Sequence, residues 1–236
     1  MTIDKTVRII IVTYDRFEEI CKTINALIDL IDYNPDNLIW HIADDGTPGD
    51  YLERIAREFR GLYIEATKTY RKGWGANVNK ALLSSKEDED YVFICEDDYV
   101  ANKKIRLSMG VAVLENVPNL GAIRYDGLAG HLGLRLNLQE IVTPEMGKVD
   151  YLIIDPVTSK HFNVYSNRPH LRHRRFTNAH GLYKEGLKLG QTEVEFAHRI
   201  RDNGKPYIGI LDGGIVRRFD HIGKSRQHTN EDINNG

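Results

Sequence analysis

The chain is poor in the features that mark secreted, membrane-spanning or strongly basic proteins. Its 236 residues include two cysteines, Cys21 and Cys95, which form neither a disulfide framework nor a metal-ligand spacing. No apolar run approaches the ~20 residues that span a bilayer, and the first residues, MTIDKTVR, lack the apolar region of a signal peptide. A formal net charge of −2 gives no global attraction to nucleic acid or anionic lipid. The sequence therefore predicts a soluble cytoplasmic protein without a transmembrane segment.

What the chain does contain is a regular alternation of strand and helix patterns. Buried-strand patterns over 7–12, 38–42, 62–65, 91–95 and 121–125 are separated by amphipathic helical patterns. This β-α alternation predicts an α/β fold with a mostly parallel central sheet, helices on both faces and right-handed crossovers. A hydrophobic content of 41% and a charged content of 28% are ordinary for a globular domain with a substantial core.

Polar clusters follow three of the first four strands, at 13–16, 44–47 and 96–98. Because parallel strands end at the same edge of a sheet, we expect these clusters to meet at one rim, where ligands bind in such folds. The last cluster is Glu96-Asp97-Asp98, and adjacent carboxylates repel one another unless a cation lies among them. Oxygen ligands suit Mg²⁺ or Mn²⁺, which bridge to substrate phosphates. The pattern favours a metal–diphosphate site, and a solvated acidic turn is the alternative.

After residue 126 the pattern changes. Alternating leucines over 132–139 predict a half-buried strand, and 149–154 and 162–165 predict two strands joined across Pro156 as an antiparallel hairpin. A helical pattern around 193–200 ends at Asn203-Gly204, and a strand pattern follows over 207–211. We predict one domain over 1–226, with a nucleotide-binding half of about 1–126 and a smaller, antiparallel acceptor half of about 127–226. Residues 227–236 are predicted to be a polar tail.

Five motifs, in chain order, resemble those of family 2 glycosyltransferases of the GT-A fold. They are VRIIIVTYDR, ADDGTPGD, the loop and helix start over 73–81, ICEDDY, and the acidic helix TEVEFAHRIRDNGKPYIG, with DHIGKS following. The resemblance covers roughly 7–225. It implies a nucleotide-diphosphate sugar donor, with UDP favoured over dTDP or GDP, and Mn²⁺ or Mg²⁺ as cofactor.

The resemblance also implies roles for individual residues. The nucleotide would contact residues from the strand ends and the glycine-rich loop, namely Thr13, Tyr14, Arg16, Asp44, Arg71, Gly73, Asn79, Glu96 and Asp97. Asp98 and His221 would bind the metal. The structural alternatives are helix capping for Asp44, an ordinary turn for the glycine-rich loop and a structural histidine at 221.

Glu193 lies where the family carries a catalytic Asp. It would accept the proton of the acceptor hydroxyl in a transfer that inverts the sugar. Here the sequence departs from the family pattern, because Thr192-Glu193 replaces Glu-Asp and a Glu reaches further. An acid in the first helical turn, stabilised by the helix dipole, is the alternative.

A basic segment precedes this helix. Residues 156–184 include six Lys or Arg and four His but no Asp or Glu. Because the second half of this fold shapes the acceptor site, we expect acceptor contacts from Arg172, Arg174, Arg175 and Asn178. A polyanionic acceptor such as modified DNA or a phospholipid-linked sugar would match this charge, whereas donor diphosphate contacts or simple solvation are the alternatives.

Together these inferences predict an inverting, metal-dependent glycosyltransferase. A sugar nucleotidyltransferase is one alternative, but it would need a glycine-rich, basic phosphate loop where TYDR follows the first strand. A non-catalytic module that binds a nucleotide sugar or DNA is another, and the replacement of Asp by Glu193 keeps it open.

Overall fold

Strands and helices alternate through the first half of the chain as the sequence predicts. The computed structural model describes residues 4–125, 134–144, 146–159, 164–211 and 217–223. The strands are β1 (Val7–Thr13), β2 (Leu38–Asp44), β3 (Ile64–Lys68), β4 (Tyr91–Glu96), β5 (Tyr99–Ala101), β6 (Leu120–Arg124), β7 (Leu136–Thr143), β8 (Gly147–Ile154), β9 (His170–His173), β10 (Tyr207–Leu211) and β11 (Phe219–His221). The α-helices are α1 (Phe17–Leu30), α2 (Tyr51–Glu58), α3 (Trp74–Leu83), α4 (Leu107–Asn116), α5 (Arg174–His180) and α6 (Leu189–Asn203).

Nine strands form one sheet in the order β3-β2-β1-β4-β9-β6-β10-β8-β7. Strands β1 to β4 pair in parallel, as do β6 and β10. Strand β9 is antiparallel to both of its neighbours, and β8 and β7 extend the sheet in antiparallel fashion beyond β10. A second sheet pairs β5 with β11. The predicted α/β class, with a mostly parallel sheet and an antiparallel extension, is confirmed.

Strand β1 explains why the sheet has helices on both faces. All seven of its residues are buried, and successive side chains point to opposite faces. Ile9 and Ile11 belong to the core that includes α1 and α4, whereas Ile10 and Val12 belong to the core that includes α3, α5 and α6. A fully buried Ile contributes about 1.5–3 kcal/mol relative to an exposed one, so two such layers hold β1 firmly at the centre.

The prediction of a hairpin between 149–154 and 162–165 is wrong. Strand β8 instead pairs with β7, from Leu136 opposite Ile154 to Thr143 opposite Gly147. Val164 and Tyr165 are not in a strand, and residues 162–163 lie outside the described residues, as do 132–133 and the predicted tail over 227–236. The sequence patterns also did not predict β9 and α5. Within the described residues, no helix combines the length and apolar composition that crossing a membrane requires.

Candidate active site

The strand register brings three polar clusters to one rim of the sheet. Thr13 at the end of β1 pairs with Asp44 at the end of β2, and Val12 pairs with Glu96 at the end of β4. The carboxyl ends of these parallel strands therefore lie side by side, with the loops that follow them at the same edge.

Asp97 is buried at this rim and holds the end of β1. Thr13 Oγ1 donates to Asp97 Oδ2 at 2.7 Å and lies 2.6 Å from the hydroxyl of Tyr51. Arg16 Nη1 lies 3.3 Å from Asp97 Oδ1. Burial raises the pKa of Asp97 to about 7, although Thr13 and Arg16 act in the opposite direction. Asp97 and Thr13 thus form a contact that ties two strand ends together.

Asp98 is the meeting point of two chain segments. Its Oδ2 forms an ion pair with Arg16 and lies 3.2 Å from Nε2 of His221. Its backbone carbonyl accepts from Ile222 N at 2.9 Å, next to the β5–β11 pairing. At Gly223 any side chain would collide with the Asp98 carboxylate, so glycine permits this close approach. The 219–223 segment therefore places His221 against the acidic cluster.

Two carboxylate oxygens at the rim have no hydrogen-bond partner among the described residues, namely Glu96 Oε1 and Asp98 Oδ1, and both are buried. Burial, followed by the charges of Asp98, Asp97 and Glu193, raises the pKa of Glu96 to about 8. A buried polar atom without a partner is costly and needs an explanation, such as a ligand or an ion. These oxygens are turned inward at the rim and not toward solvent.

The donor set fits Mn²⁺ or Mg²⁺ only as an ion shared with a substrate. The described residues contain no group of three or more His, Cys, Asp and Glu side chains placed to hold a metal ion. However, Mg²⁺ is typically bound by one or two carboxylates together with waters and substrate phosphates. Asp98 matches that pattern, because its buried Oδ1 has no hydrogen-bond partner among the described residues and His221 lies beside its Oδ2.

Tyr14 and Arg71 meet at the rim beside the β2 and β3 ends. The guanidinium carbon of Arg71 lies 5.2 Å from the centre of the Tyr14 ring. The loop that carries Arg71 is shaped by Asp45, whose carboxylate accepts from Lys72 N and Gly73 N, each at 3.0 Å, and from Thr69 Oγ1 at 2.6 Å. Sequence reasoning missed this role of Asp45, although its place in the DDG motif was the available signal.

Two predicted nucleotide-binding residues are engaged with the protein itself. Asp44 is fully buried, and both of its carboxylate oxygens accept hydrogen bonds from Thr47. These contacts close the turn after β2. They do not cap a helix as the structural alternative expected, because the next α-helix, α2, begins at Tyr51. Asn79 is also buried, and its amide exchanges two hydrogen bonds of 2.9 Å with the backbone of Tyr183. It ties α3 to the segment that leads into α6.

Glu193 lies on α6 beside the acidic rim. Its Oε1 accepts from Asn167 N at 2.7 Å and from Ser166 Oγ at 3.1 Å. Its charge helps to raise the pKa of Glu96, so the two carboxylates are within electrostatic range of each other. Helix α6 begins at Leu189 and has no acid in its first turn, so the helix-dipole alternative for Glu193 is wrong.

The contacts of the three arginines do not support their predicted acceptor role. Strand β9 runs antiparallel to β4, so His173 pairs with Tyr91 at the edge opposite the acidic rim. Arg174 and Arg175, which follow, donate to backbone carbonyls there. Arg172 is buried among aromatic rings and donates to the hydroxyl of Tyr183 at 2.8 Å. Asn178 is exposed on α5, and its acceptor role stays a prediction.

Comparisons with known proteins identify the family and the fold. Residues 8–185 match the family model described as "Glycosyl transferase family 2". No curated protein gives a significant match. The solved structure of the mannosyltransferase PcManGT from Pyrobaculum calidifontis, in complex with GDP-Man and Mn²⁺, is similar, with 15% identity and a TM-score of 0.63 over 95% of this chain and 59% of that one.

A second similar structure is that of S. aureus TarS 1-349 in complex with UDP-GlcNAc. It has 16% identity and a TM-score of 0.63, over 92% of this chain and 60% of that chain. The chain therefore spans less than two thirds of the length of either protein. At this level of identity the likeness establishes a common fold.

Proposed function

Because the chain belongs to glycosyl transferase family 2, we propose that it transfers a sugar from a nucleoside-diphosphate donor to an acceptor hydroxyl. The observation that carries the proposal is the register of β1, β2 and β4, which collects Tyr14, Arg16 and the acids over 96–98 at one rim. A site that combines an aromatic ring, a cation and open carboxylate oxygens suits the three parts of a nucleotide sugar.

The nucleotide would lie between the Tyr14–Arg71 pair and the acidic cluster. An aromatic ring beside a guanidinium offers a stacking surface for a base, and a UDP donor is the form we propose. Arg16 supports the same arrangement, because its charge balances Asp97 and Asp98 where they approach each other. Burial alone would lower the pKa of Arg16, but the charges of Asp97 and Asp98 raise it by more. The net pKa is raised, so the side chain stays charged.

Asp98 and His221 would hold a divalent metal ion, Mn²⁺ or Mg²⁺. When bound, such an ion neutralises the charge that develops on a departing diphosphate. The 219–223 segment supports this proposal, since it packs against Asp98 through a backbone hydrogen bond and the close approach of Gly223.

Glu193 would act as the general base in an inverting transfer. Both hydrogen bonds that described residues make to its carboxylate end on Oε1, which fixes the group and leaves Oε2 for the acceptor hydroxyl. A carboxylate in hydrogen-bond reach of the attacking hydroxyl is what proton removal requires.

Thermal unfolding with a panel of ligands tests this proposal. UDP, UDP-glucose, UDP-GlcNAc, GDP and GDP-mannose would each be added with and without Mn²⁺. A ligand at 100 times its Kd stabilises by about 2.7 kcal/mol, so we expect a clear Mn²⁺-dependent rise in Tm with at least one nucleotide. Absence of any rise across the panel would reject the nucleotide site.

Asp98→Asn is the matching variant. It should abolish the Mn²⁺-dependent part of the rise, since it removes a carboxylate charge at the proposed metal position. Asp202→Asn serves as control, because Asp202 is exposed near the end of α6, which leads to the opposite edge of the sheet. If Asp98→Asn keeps the full Mn²⁺ effect, the metal assignment is wrong. Turnover of a bound sugar nucleotide then separates an enzyme from a non-catalytic binding module.

A further inference from the structure

Two buried side chains close to Glu193 have polar atoms that no described residue satisfies. Asn167 is 3% exposed, and neither Nδ2 nor Oδ1 of its amide has a hydrogen-bond partner in the described part of the chain. His170 is 1% exposed, and its Nε2 also has none. Buried polar groups are nearly always hydrogen-bonded, so two unsatisfied side chains three residues apart point to a ligand.

Both side chains belong to the rim that carries the proposed site. The backbone N–H of Asn167 donates to Glu193 Oε1 at 2.7 Å, so residue 167 lies directly against the proposed base. His170 is the first residue of β9 and pairs with Ile94, two residues before Glu96. Because alternate residues of a strand share a face, His170, Ile94 and Glu96 lie on the same face of the sheet. Helix α6 packs on that face through Phe196.

The chemistry of the two groups identifies the kind of ligand. His170 Nδ1 lies 2.8 Å from the carbonyl oxygen of Arg168, which can only accept, so Nδ1 carries the ring proton. Burial, and then the charge of Arg172, lower the pKa of His170 to about 3, so the ring is neutral and Nε2 is an acceptor. The Asn167 amide offers both donors and an acceptor. A neutral set of this kind suits hydroxyl groups.

We propose that Asn167 and His170 bind hydroxyl groups of the transferred sugar and so determine which sugar is accepted. The inference rests on the proposed function, since it places the sugar between Glu96 and Glu193. It adds two selective contacts that no motif of the chain contains. The absent partners of Asn167 and His170 are, on this view, hydroxyls of the donor sugar.

The test uses Asn167→Leu, a replacement of similar size without polar atoms. Replacing an unpartnered buried amide by an apolar group removes an unfavourable burial, so the Tm of the ligand-free protein should not fall. Titration calorimetry with Mn²⁺ would compare UDP or GDP with the matching sugar nucleotide that the wild type binds best. We expect unchanged affinity for the nucleotide and a loss of roughly tenfold or more for the sugar nucleotide.

Two further variants make the result decisive. Asn77→Leu is the matched control, because Asn77 is also buried but its amide is hydrogen-bonded to Ala43 O and Thr69 Oγ1, so its Tm should fall. His170→Phe keeps a ring beside Tyr165 but removes both the Nε2 acceptor and the Nδ1–H bond to Arg168 O, so its Tm should fall. Of the two affinities, only that for the sugar nucleotide should be lowered.

A fall in Tm for Asn167→Leu as large as that for Asn77→Leu would overturn the inference, because the amide would then have partners within the protein. Equal loss of nucleotide and sugar-nucleotide affinity, or no loss of either, would overturn it as well. In each of these cases the wild type still binds nucleotides, so the proposed function stands. If the wild type binds none of the nucleotides, the proposed function fails first and this inference fails with it.

Discussion

Glu193 is the residue on which catalysis depends most directly in the proposed mechanism. Glu193→Gln keeps an Oε1 that can accept from Asn167 N and Ser166 Oγ, so the local structure and donor binding should be preserved. The amide cannot accept a proton, and the transfer rate should fall by roughly 10²- to 10⁴-fold, the usual contribution of a general base. Release of nucleoside diphosphate from the sugar nucleotide measures this loss.

Glu195→Gln is a matched control for that variant. Glu195 lies two residues further along α6 and pairs with Arg199 at 2.8 Å, on the helix surface away from Glu193. A side chain two positions along a helix faces a different direction, so its neutralisation should leave the transfer rate close to normal. A near-normal rate for Glu193→Gln would assign Glu193 a structural role instead, as a clamp on the turn at Ser166 and Asn167.

Arg172 supports the fold in place of the acceptor role that its charge predicted. Its guanidinium carbon lies 5.2 Å from the ring centres of Phe176 and Tyr183 and 5.6 Å from that of Phe196. Arg172→Ala should therefore lower the free energy of unfolding by about 2–4 kcal/mol, through lost packing and the lost hydrogen bond to the Tyr183 hydroxyl, which keeps only its bond to Tyr165. Urea denaturation measures the change.

Arg57→Ala is the control for Arg172→Ala. The Arg57 side chain is 69% exposed, so its removal should change the free energy of unfolding by no more than about 0.5 kcal/mol. If Arg172→Ala unfolds like the wild type but weakens binding of a polyanion with a reduced salt slope, the acceptor prediction would be restored.

The arginines show what composition alone could not predict. A basic segment gives the charge of its residues, but only packing decides whether that charge faces solvent, a carbonyl or an aromatic ring.

At the level of elements, the parallel half of the sheet was predictable and the strand inserted into it was not. Runs such as VRIIIV are buried on both faces, so their apolar character alone marks them as central strands. Strand β9, HLRH, is equally central but has three polar residues and one apolar residue, with His170 and Arg172 on one face and Leu171 and His173 on the other. His170 and Arg172 lie on the side of the proposed sugar site and the aromatic cluster, so function and packing override the usual strand pattern there.

The contact between β6 and α5 can be tested with a pair of glycines. A Cβ on Gly121 would lie 2.6 Å from Phe176 Cδ2 and 2.8 Å from Pro206 Cγ, which is too close for real atoms. Gly121→Ala should therefore destabilise the protein by about 1–3 kcal/mol, as overpacked core substitutions do.

Gly190, in the first turn of α6, is the control for Gly121, because the space around it is open. A Cβ there meets nothing within 4 Å. Gly190→Ala should stabilise the protein by about 0.5–1 kcal/mol, because alanine restricts the unfolded chain and favours the helix. Thermal unfolding of both variants measures the difference, and equal effects of the two substitutions would contradict the close β6–α5 packing.

At the scale of the whole molecule, a buried polar network joins the first three strands and the segment before β4. The Arg8 guanidinium donates to both oxygens of Glu89 at 2.6 and 2.9 Å and to Glu65 Oε2 at 2.6 Å. Its Nη1 also lies 2.9 Å from His41 Nδ1, and His41 Nε2 lies 3.0 Å from Thr67 Oγ1. Since Arg8 is fully buried, the network depends on every partner keeping its charge state.

This network predicts a loss of stability in mild acid. Burial, then the adjacent charge of Arg8, lower the pKa of His41 to about 4, against about 6.5 in an unfolded chain. As the pH falls from 6.5 towards 4, the unfolded chain takes up a proton at this position and the folded protein does not, so stability falls. Each unit of difference in pKa between the folded and unfolded chain is worth about 1.4 kcal/mol, so His41 should account for about 3 kcal/mol of that loss.

His41→Asn isolates this effect, because its side-chain oxygen can accept from Arg8 but cannot be protonated in this range. Urea denaturation from pH 4 to pH 9 should give parallel curves for the variant and the wild type above pH 7. Below pH 6.5 the wild type should lose stability more steeply, by about 3 kcal/mol over the whole window. Other buried histidines, including His170, titrate in both proteins and cancel in the comparison. Identical slopes below pH 6.5 would show that His41 binds its proton equally in the folded and unfolded protein, so that the Arg8 network does not exclude it.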